Sequence, residues 1–526
     1  MKRILKVSSV LLCIALIITC FAGCKGNGDN GGNRGNGTGY DHEIPTDLLT
    51  EEEYRSEVKK LLEGESFVTA DTDAIDKLGD SLKDMIVYST NDITDTPGTT
   101  YYISNNGDDN NDGKTPETAW ATLAKAGVMP LEEGDLILFE RGGLWRGTLT
   151  AQTGVTYSAY GKGPKPKIYT SIDGMQGEWT ETDKKDVYIY SEKIYKSDVC
   201  VIVFDGVDAN AKIAQRKNDV NKISRDLDFA FQGMMATSGK KDNRLYLKCK
   251  EGNPKDVFES MEISIADNTI ELSGKDNITL NNLDLKFGKL PFQAENANNL
   301  TTSYCIAGWH GGNVTSSGIR FLGGIYSQSD GDGFKTDHCY VYQQFDSGVT
   351  AQVAWSTIKA GKGPSVYEDF ITTDCLFEYC EYTLEYFSTQ TDTNENCFKN
   401  MYFGYNFCRY GGYGFGDKAG QSAYVKSWMH ENNCYDSAIE YNVFDRPVAS
   451  SINIASYAQK NSSDDWTASW GTMPAVKNNI FIHRKDRDFG KIMGVVYKFN
   501  SEEVKKIHNL GLNAGSRYLY APENNK

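Results

Sequence analysis

The 526-residue chain lacks the basic balance that nucleic-acid binding requires. Its formal net charge is −16, whereas neutralising phosphates needs a surface rich in Lys and Arg. The chain also contains no CxxC pair, and beyond Cys24 its only close cysteines are Cys375 and Cys380. The cysteine spacing therefore indicates neither a zinc site nor a disulfide framework.

A long apolar run is missing as well. The stretch from about Val7 to Phe21 follows three basic residues and is too short and too close to the terminus to favour a membrane-spanning helix. It predicts an export signal. The segment that follows, Phe21-Ala22-Gly23-Cys24, resembles the lipobox of bacterial lipoproteins, which implies cleavage before Cys24 and a lipid on that residue. We expect a surface protein anchored in the membrane by several acyl chains, with free secretion as the alternative.

The remaining cysteines are predicted to be buried thiols. The sequence has twelve cysteines, of which Cys13 and Cys20 leave with the signal and Cys24 is the lipid site. The nine that remain are an odd number, so at least one has no partner within the chain. We expect them to pack as small apolar side chains.

Composition divides the chain into four segments. Residues 1–23 are the lipoprotein signal peptide, and residues 24–45, mostly Gly and Asn, are predicted to form a flexible tether. Residues 46–95 have helical apolar spacing and a possible capping box at Thr50 and Glu53. Residues 96–526 consist of short β-rich segments broken by Gly, Asn and Asp. They predict an all-β domain.

The start of this domain resembles a known family. The elements YYISNNGDDNNDGKTPETAWATL, GDLILFERGGLWRGTL and YGKGPKP look like the opening of secreted bacterial right-handed parallel β-helix proteins of the pectate-lyase-like superfamily. The resemblance implies a solenoid whose open end is capped by a short helix, here around Ala119 to Ala126, followed by a first strand at Leu136 to Phe139. It says little about activity, because one fold supports many functions.

Internal repeats support a solenoid independently. The segment NITLNNLDLKFG (277–288) alternates like two strands with a bend between them, and three later segments align without gaps: YVYQQFDSGVTAQ (340–352), CLFEYCEYTLEYF (375–387) and NFCRYGGYGFGDK (406–418). Two looser copies follow at 442–454 and 478–490. The alignment predicts two core columns: Val341, Leu376 and Phe407, and Val349, Leu384 and Phe415. The segments 353–370, 388–400 and 419–433 are predicted to leave as loops that wall a groove.

The same alignment brings four acids together. Glu385 shares an outward column with Thr350 and Gly416, and Glu381 shares a bend column with Asp346 and Gly412. Asp417 sits at the end of the third strand. Glycosidic bond cleavage commonly uses two carboxyl groups, and crowded acids beside aromatics suit a general acid because one pKa rises. We predict Glu385 as the proton donor and Asp346 or Asp417 as its partner, although Asp346 and Asp417 also fit plain turn residues.

Further residues are predicted to bind the substrate. Trp309 offers a platform for a sugar ring, and His310 can bond hydroxyl groups or move protons. Arg320 is placed to meet an acidic sugar or Glu385. The remaining contacts come from the bend and the outward columns: Gln352, Glu381, Phe387 and Lys418.

The leading hypothesis is a cell-surface glycoside hydrolase that acts on a polysaccharide or oligosaccharide as a monomer without a cofactor. Resemblance to the pectate lyases implies an alternative, a lyase with a calcium site and a Lys or Arg base, for which Asp330, Asp332 and Asp337 are the candidate ligands and Lys335 is the nearby base. A non-catalytic glycan-binding protein is the third possibility.

Overall fold

The structure is a computed structural model that describes residues 45, 48–236, 241–314, 318–328, 331–352, 366–387, 397–427, 433–454, 473–492 and 494–522. The predicted signal, tether and lipid site at Cys24, and the calcium candidate Asp330, lie outside these residues. The chain divides into two compact units. In the described part, the smaller unit comprises Ile172–Ile263 and Asn313–Phe321, and the larger unit comprises the rest.

Five α-helices lie in the described residues: α1 Glu51–Leu61, α2 Thr72–Val87, α3 Leu123–Val128, α4 Pro254–Val257 and α5 Ser501–His508. Three short 3₁₀ helices span Pro116–Thr118, Val220–Lys222 and Ala419–Gln421. The predicted capping box is present at the start of α1, where the Thr50 hydroxyl accepts from the Glu53 N–H at 3.2 Å and the Glu53 carboxylate accepts from the Thr50 N–H at 2.8 Å. None of the described helices is long and apolar enough to cross a membrane.

The rest of the described chain is mostly β-strand. The strands up to residue 271 are β1 Val68–Thr69, β2 Thr100–Ile103, β3 Leu136–Glu140, β4 Leu144–Arg146, β5 Leu149–Thr150, β6 Thr156–Tyr160, β7 Lys167–Asp173, β8 Trp179–Glu181, β9 Val187–Tyr190, β10 Val199–Phe204, β11 Lys212–Ile213, β12 Gln215–Arg216, β13 Asp228–Phe231, β14 Leu245–Lys248, β15 Met261–Ile265 and β16 Asn268–Glu271. The next set is β17 Ile278–Asn281, β18 Asp284–Phe287, β19 Leu290–Glu295, β20 Leu300–Ser303, β21 Ile306–His310, β22 Asn313–Val314, β23 Arg320–Phe321, β24 Ile325–Gln328, β25 Phe334–Asp337, β26 Tyr340–Gln344, β27 Ser347–Gln352, β28 Val366–Glu368, β29 Phe370–Thr373, β30 Leu376–Glu378 and β31 Tyr382–Phe387. The last set is β32 Cys397–Lys399, β33 Tyr402–Gly404, β34 Phe407–Arg409, β35 Ala423–Ser427, β36 Asn433–Tyr435, β37 Ala438–Glu440, β38 Val443–Asp445, β39 Ser450–Ile454, β40 Ala475–Lys477, β41 Ile480–His483, β42 Asp488–Ile492, β43 Val495–Lys498 and β44 Arg517–Tyr520.

Three long sheets of mainly parallel strands build the larger unit. Sheet one has the order β2-β3-β6-β17-β20-β25-β29-β33-β37-β40, sheet two contains β1-β44-β41-β38-β34-β30-β26-β21-β18-β7 with β4 beside β7, and sheet three has the order β43-β42-β39-β35-β31-β27-β24-β19-β16-β5. From β17 onward the chain visits sheets one, two and three in turn and then begins again. This arrangement is consistent with the predicted solenoid. A small sheet of β28, β32 and β36 adds to it.

Apolar side chains from all three sheets fill the centre of the larger unit. One core row runs through Val341, Phe377 and Cys408 of sheet two, and another runs through Val349, Leu384 and Val425 of sheet three. α3 and α5 add apolar residues to the same core. The described cysteines are all buried thiols, which confirms the prediction of thiols packed as apolar side chains.

Buried asparagines tie successive turns of the chain together. Asn406, Asn442 and Asn479 each begin the approach to a strand of sheet two, and each side chain bonds the next: the Asn406 Nδ2 donates to the Asn442 Oδ1 at 3.1 Å, and the Asn442 Nδ2 donates to the Asn479 Oδ1 at 2.9 Å. The three are completely buried. Stacking of one residue type at one bend fixes the register between neighbouring strands.

The smaller unit is built differently. Its main sheet, β12-β13-β14-β9-β8, contains mostly antiparallel pairs, and β10 with β11 and β22 with β23 are antiparallel as well. Its interior holds a buried ion pair in which the Arg216 Nη2 lies 2.6 Å from the Asp198 Oδ1.

Candidate functional site

Asp346 and Glu381, the predicted bend residues of the first two repeats, lie on adjacent turns of the chain as the alignment predicts. Ser347 pairs with Tyr382, Val349 with Leu384 and Thr350 with Glu385 in neighbouring parallel strands. Asp346 and Glu381 immediately precede this register, so they occupy equivalent places on adjacent turns of the chain. The Tyr382 N–H donates to the Asp346 carbonyl at 2.9 Å.

The third repeat departs from the predicted alignment. The bend between sheets two and three covers residues 379–381 in one turn but residues 410–422 in the next. Val425 rather than Phe415 therefore pairs with Leu384, and Lys426 rather than Gly416 pairs with Glu385. β35 also falls within 419–433, a segment predicted to be a loop. The prediction that Phe415 lies in the core column of Leu384 was wrong. The prediction that Val341 aligns with Leu376 was also wrong, because Tyr340 pairs with Leu376.

Glu381 is the most unusual acid of the cluster. Its side chain is 2% exposed, and within the described residues its Oε1 has no hydrogen-bond partner. Burial, together with the negative charge of Asp346, raises the pKa of Glu381 to about 8 against the opposing effect of Lys418. A carboxyl group in this setting keeps its proton at neutral pH and is able to donate it.

Asp346 lies beside Glu381 and shares a lysine with it. The Lys418 Nζ is 3.4 Å from the Asp346 Oδ1. Burial raises the pKa of Asp346, Lys418 opposes the rise, and Asp417 adds to it. Asp417 itself is exposed. The long bend thus delivers Asp417 and Lys418 to the acids, although neither residue lies on the predicted strand.

Glu385 belongs to a different set of contacts on the next part of the strand. Its Oε2 accepts from the Ser347 hydroxyl at 2.5 Å and from the Thr350 hydroxyl at 3.3 Å. On the following strand, burial lowers the pKa of Lys426 to about 8, while Glu385 opposes this and Lys491 and Lys418 strengthen it. Glu385 is therefore held by two hydroxyl donors next to a buried amine.

Tyr382 connects the two sets of acids. The Lys426 Nζ lies 5.7 Å and the Lys418 Nζ 6.0 Å from the centre of its ring. Burial and the charges of Asp346 and Glu385 raise its pKa. Tyr382 and Lys426 were not among the residues predicted from the sequence. Lys426 lies in the strand that follows the long bend, and an alignment without gaps does not bring it into register with Glu385.

The long bend packs directly on Glu381. A Cβ built on Gly416 would lie 2.1 Å from the Glu381 Oε2 and 2.8 Å from the Phe345 carbonyl oxygen, so only glycine permits this approach. The preceding residue, Phe415, contacts the rings of Trp309 and Phe345 at centroid distances of 5.7 and 5.4 Å. The Phe415–Lys418 segment therefore covers the acids and is supported by Trp309.

The remaining predicted residues of the larger unit have other surroundings. His310 is completely buried between Thr269 and Gln344, and burial holds its pKa well below the usual value. Gln352 is buried at the end of β27, in register with Phe387. The side chain of Phe387 lies outside the described part of the structure.

Arg320 lies in the smaller unit. Its Nη2 donates to the Cys200 carbonyl at 3.2 Å, and it is partly buried on the short strand β23. Its predicted contact with an acidic sugar stays a prediction.

The calcium candidates occupy separate structural roles. Asp332 is exposed, and its Oδ1 accepts from the Glu368 N–H at 2.8 Å in a turn. Asp337 accepts from the Thr373 hydroxyl at 2.9 Å and lies 3.8 Å from the Lys335 ammonium. Asp330 is not described. The calcium site stays a prediction.

A different trio among the described side chains comes close enough for one metal ion. Asp337, His338 and Asp374 offer ligand atoms that lie within 4.8 Å of one another. However, both oxygens of Asp374 accept from the Arg55 guanidinium, at 2.8 and 2.5 Å, and the His338 Nδ1 is 3.2 Å from the Asp337 Oδ1. These contacts are those of an ion-pair network that holds α1 against the stacked strands.

A second charged cluster serves the docking of α2. Arg409 bonds Glu378 at 2.6 Å and Asp80 of α2 at 2.6 Å, and Arg446 pairs with Asp445 and Asp76. Each of these acids has a cationic partner. Glu381 differs from these acids, because one of its carboxyl oxygens, Oε1, has no hydrogen-bond partner among the described residues. Buried acids with a strongly shifted pKa are common at functional sites.

Comparisons with known proteins find fold-level likeness alone. No protein-family profile matches the chain, and no curated protein matches it. A solved structure of a GH136 lacto-N-biosidase from Eubacterium ramulus is 13% identical and covers 80% of this chain and 68% of its own, with a TM-score of 0.39. A structure named as a glycoside hydrolase is 9% identical and covers 81% and 97%, with a TM-score of 0.43. An alginate lyase from Paenibacillus sp. str. FPU-7 is 8% identical and covers 76% and 96%, with a TM-score of 0.35. These likenesses are remote, so the function is argued from the site.

Proposed function

We propose that this protein is a glycan-cleaving hydrolase in which Glu381 donates the proton to the leaving oxygen and Asp346 supplies the second carboxyl group. The observation that carries the proposal is the burial of Glu381 beside Asp346, which raises the pKa of Glu381 to about 8 and so favours its protonated form at neutral pH. A general acid needs a pKa near the working pH, and about 8 meets that requirement.

The placement of the two acids supports the assignment. They precede paired residues of adjacent parallel strands, which lie ~4.8 Å apart, and carboxyl groups that cooperate in retaining glycoside hydrolysis are separated by ~5 Å. Asp346 is the more open of the two, with 16% of its side chain exposed. It is the group placed to act on the substrate as a nucleophile or base.

The assignment moves the proton donor from Glu385 to Glu381. Glu385 receives two hydroxyl donors, from Ser347 and Thr350, so its carboxyl group is held in place by the strand before it. It suits a role in orienting Tyr382, Lys426 or the substrate.

Three finer statements belong to the same proposal. The solenoid is a right-handed parallel β-helix, as the opening motifs imply; the chain is exported and anchored through a lipid on Cys24; and the substrate is a polysaccharide or oligosaccharide outside the cell. The apolar run before Cys24 and the repeats support them.

A screen of reducing-end release across plant, algal and host glycans tests the proposal. The parent protein should release reducing ends from at least one glycan, and Glu381→Gln should lose about 10²- to 10⁴-fold of that rate, the usual contribution of a general acid. Glu368→Gln, a change in an exposed ion pair, is the matched control and should keep full activity.

Three results would contradict the proposal. Undiminished activity of Glu381→Gln would remove Glu381 from the mechanism. A product with ultraviolet absorption, formed without net uptake of water, would indicate a lyase. Binding of glycans without release from any of them would indicate a non-catalytic protein.

A further inference from the structure

Three outward side chains of sheet three continue the row that begins at Glu385. In sheet three, Glu385 pairs with Lys426, Lys426 with Asn453 and Asn453 with Lys491. The residues on either side of Asn453, Ile452 and Ile454, point into the core, so the row occupies the opposite face of the strands. The row itself carries polar side chains on three successive strands.

The charge of the row changes along its length. The row begins at Glu385, and Asp346 and Glu381 lie at the bends that precede β27 and β31. Beyond Glu385 the same row holds two ammonium groups, Lys426 and Lys491, with an amide between them. The two lysines are close enough for Lys491 to lower the pKa of Lys426. An anionic group bound beside these two ammonium groups would offset their mutual repulsion.

The side-chain amide of Asn453, which lies between the two lysines, can accept a further hydrogen bond. Its Oδ1 is buried, and within the described residues it accepts no hydrogen bond. An unsatisfied amide beside ammonium groups matches a ligand that combines an anionic group with hydroxyl donors. Sugars that carry an acidic substituent have this composition.

We propose that Lys426, Asn453 and Lys491 form a subsite that binds an anionic substituent of the glycan, either a carboxylate or a sulfate ester, through ammonium groups and without a metal ion. The subsite begins one strand beyond Glu385, so the acidic sugar lies next to the bond that is cleaved. This inference rests on the proposed function for its glycan ligand and deepens it by naming the substrate class.

Binding, rather than cleavage, tests the subsite. The full exported chain with Glu381→Gln is run in affinity electrophoresis through gels that contain polygalacturonate, chondroitin sulfate, their carboxyl-reduced or desulfated forms, or xylan. We expect retardation by at least one anionic polymer, weakened about tenfold in affinity by Lys491→Met, the loss expected for one charge-assisted contact. The carboxylated and sulfated arms identify which anion is bound.

The matched control is Lys498→Met on the neighbouring strand β43, where Lys498 pairs with Asp488 and is 52% exposed. It removes the same charge from the same sheet and should leave retardation unchanged. Raising the ionic strength should weaken binding of the parent more than that of Lys491→Met, because screening acts on the charge that the variant lacks.

Each outcome separates the subsite from the catalytic proposal. Retardation that depends on Lys491 in a protein that cleaves no glycan supports the subsite and overturns the hydrolase. Cleavage of a neutral glycan together with equal mobility in anionic and neutral gels overturns the subsite and leaves the hydrolase standing. Retardation that Lys491→Met and Lys498→Met weaken equally also overturns the subsite, since it reports general charge attraction.

Discussion

The pH dependence of stability tests whether Glu381 carries a proton in the folded protein. In the unfolded chain this carboxyl group loses its proton near pH 4.5, whereas in the folded protein its pKa is about 8. The stabilisation that comes from the bound proton is therefore fully present below pH 4.5 and is lost as the pH rises through 8. The difference between 8 and 4.5 is worth at most about 5 kcal/mol of unfolding free energy, at about 1.4 kcal/mol for each pKa unit.

Glu381→Gln removes this dependence because an amide does not ionise. The amide keeps the shape of the protonated carboxyl group, so we expect the variant to match the parent at pH 5 and to exceed it at pH 8.5. The assay is the Tm of both proteins by calorimetry across this range. Each kcal/mol moves the Tm by roughly 1–2 °C in a protein of this size, so the two curves should separate by several degrees.

The control again uses Glu368→Gln, whose carboxyl group is 44% exposed beside Lys399 and should follow the parent at every pH. Parallel curves of Tm against pH for the parent and Glu381→Gln from pH 5 to 8.5 would contradict this prediction. They would mean that the folded protein does not hold the proton on Glu381.

Three further predictions concern the neighbours of Glu381 and the stacking of the strands. Asp346→Asn removes a negative charge that raises the pKa of Glu381, so titration of the Glu381 carboxyl group by infrared spectroscopy should show a lower pKa; an unchanged midpoint would show that the two acids do not interact. Gly416→Ala places a methyl group 2.1 Å from the Glu381 Oε2 and should cost about 1–3 kcal/mol of unfolding free energy, whereas Gly420→Ala, with nothing within 4 Å, should be neutral; equal losses would argue against the close packing of the long bend. Asn442→Ala deletes the side-chain bonds to Asn406, Asn479 and the Phe403 carbonyl and should destabilise the protein by about 2–4 kcal/mol, compared in denaturation with Asn110→Ala at an exposed turn; a loss no larger than that of the control would remove the asparagine stack as a stabilising element.

Local pattern was enough to predict much of the fold. The alternation in 277–288 predicts β17, the bend and β18, and the repeats correctly pair Val349 with Leu384 and Thr350 with Glu385. These features depend on a two-residue period and a buried face, both of which are written in neighbouring residues. The strand expected at Leu136 to Phe139 is β3. The helix expected around Ala119 to Ala126 begins later, as α3 at Leu123–Val128.

The long bend at residues 410–422 could not be predicted from the sequence pattern. The GGYGFGDK run resembles a continuation of the strand, because nothing local marks residues 410–422 as a bend rather than a shift of register. The bend then returns over Glu381, which lies far away in sequence, and buries it. Burial of this kind depends on contacts between Gly416 and Glu381. The sequence pattern therefore predicts a solvated glutamate at the bend and favours Glu385 as the catalytic acid.

The sequence pattern also does not distinguish the smaller unit from the larger one. Its strands between Ile172 and Ile263 have the same alternation and the same Gly, Asn and Asp turns as those of the larger unit. Parallel and antiparallel pairing differ in which distant strand is the neighbour, and that choice is not visible in a short segment.

The role of Glu381 as the proton donor is tested most directly by varying the leaving group. A dinitrophenyl glycoside of the sugar that the parent releases departs without protonation, whereas the natural glycan needs an acid. If Glu381 is the proton donor, Glu381→Gln loses about 10²- to 10⁴-fold in kcat/KM on the natural glycan but stays within a few-fold of the parent on the dinitrophenyl glycoside. An equal loss on both substrates, or a loss on neither, would contradict it.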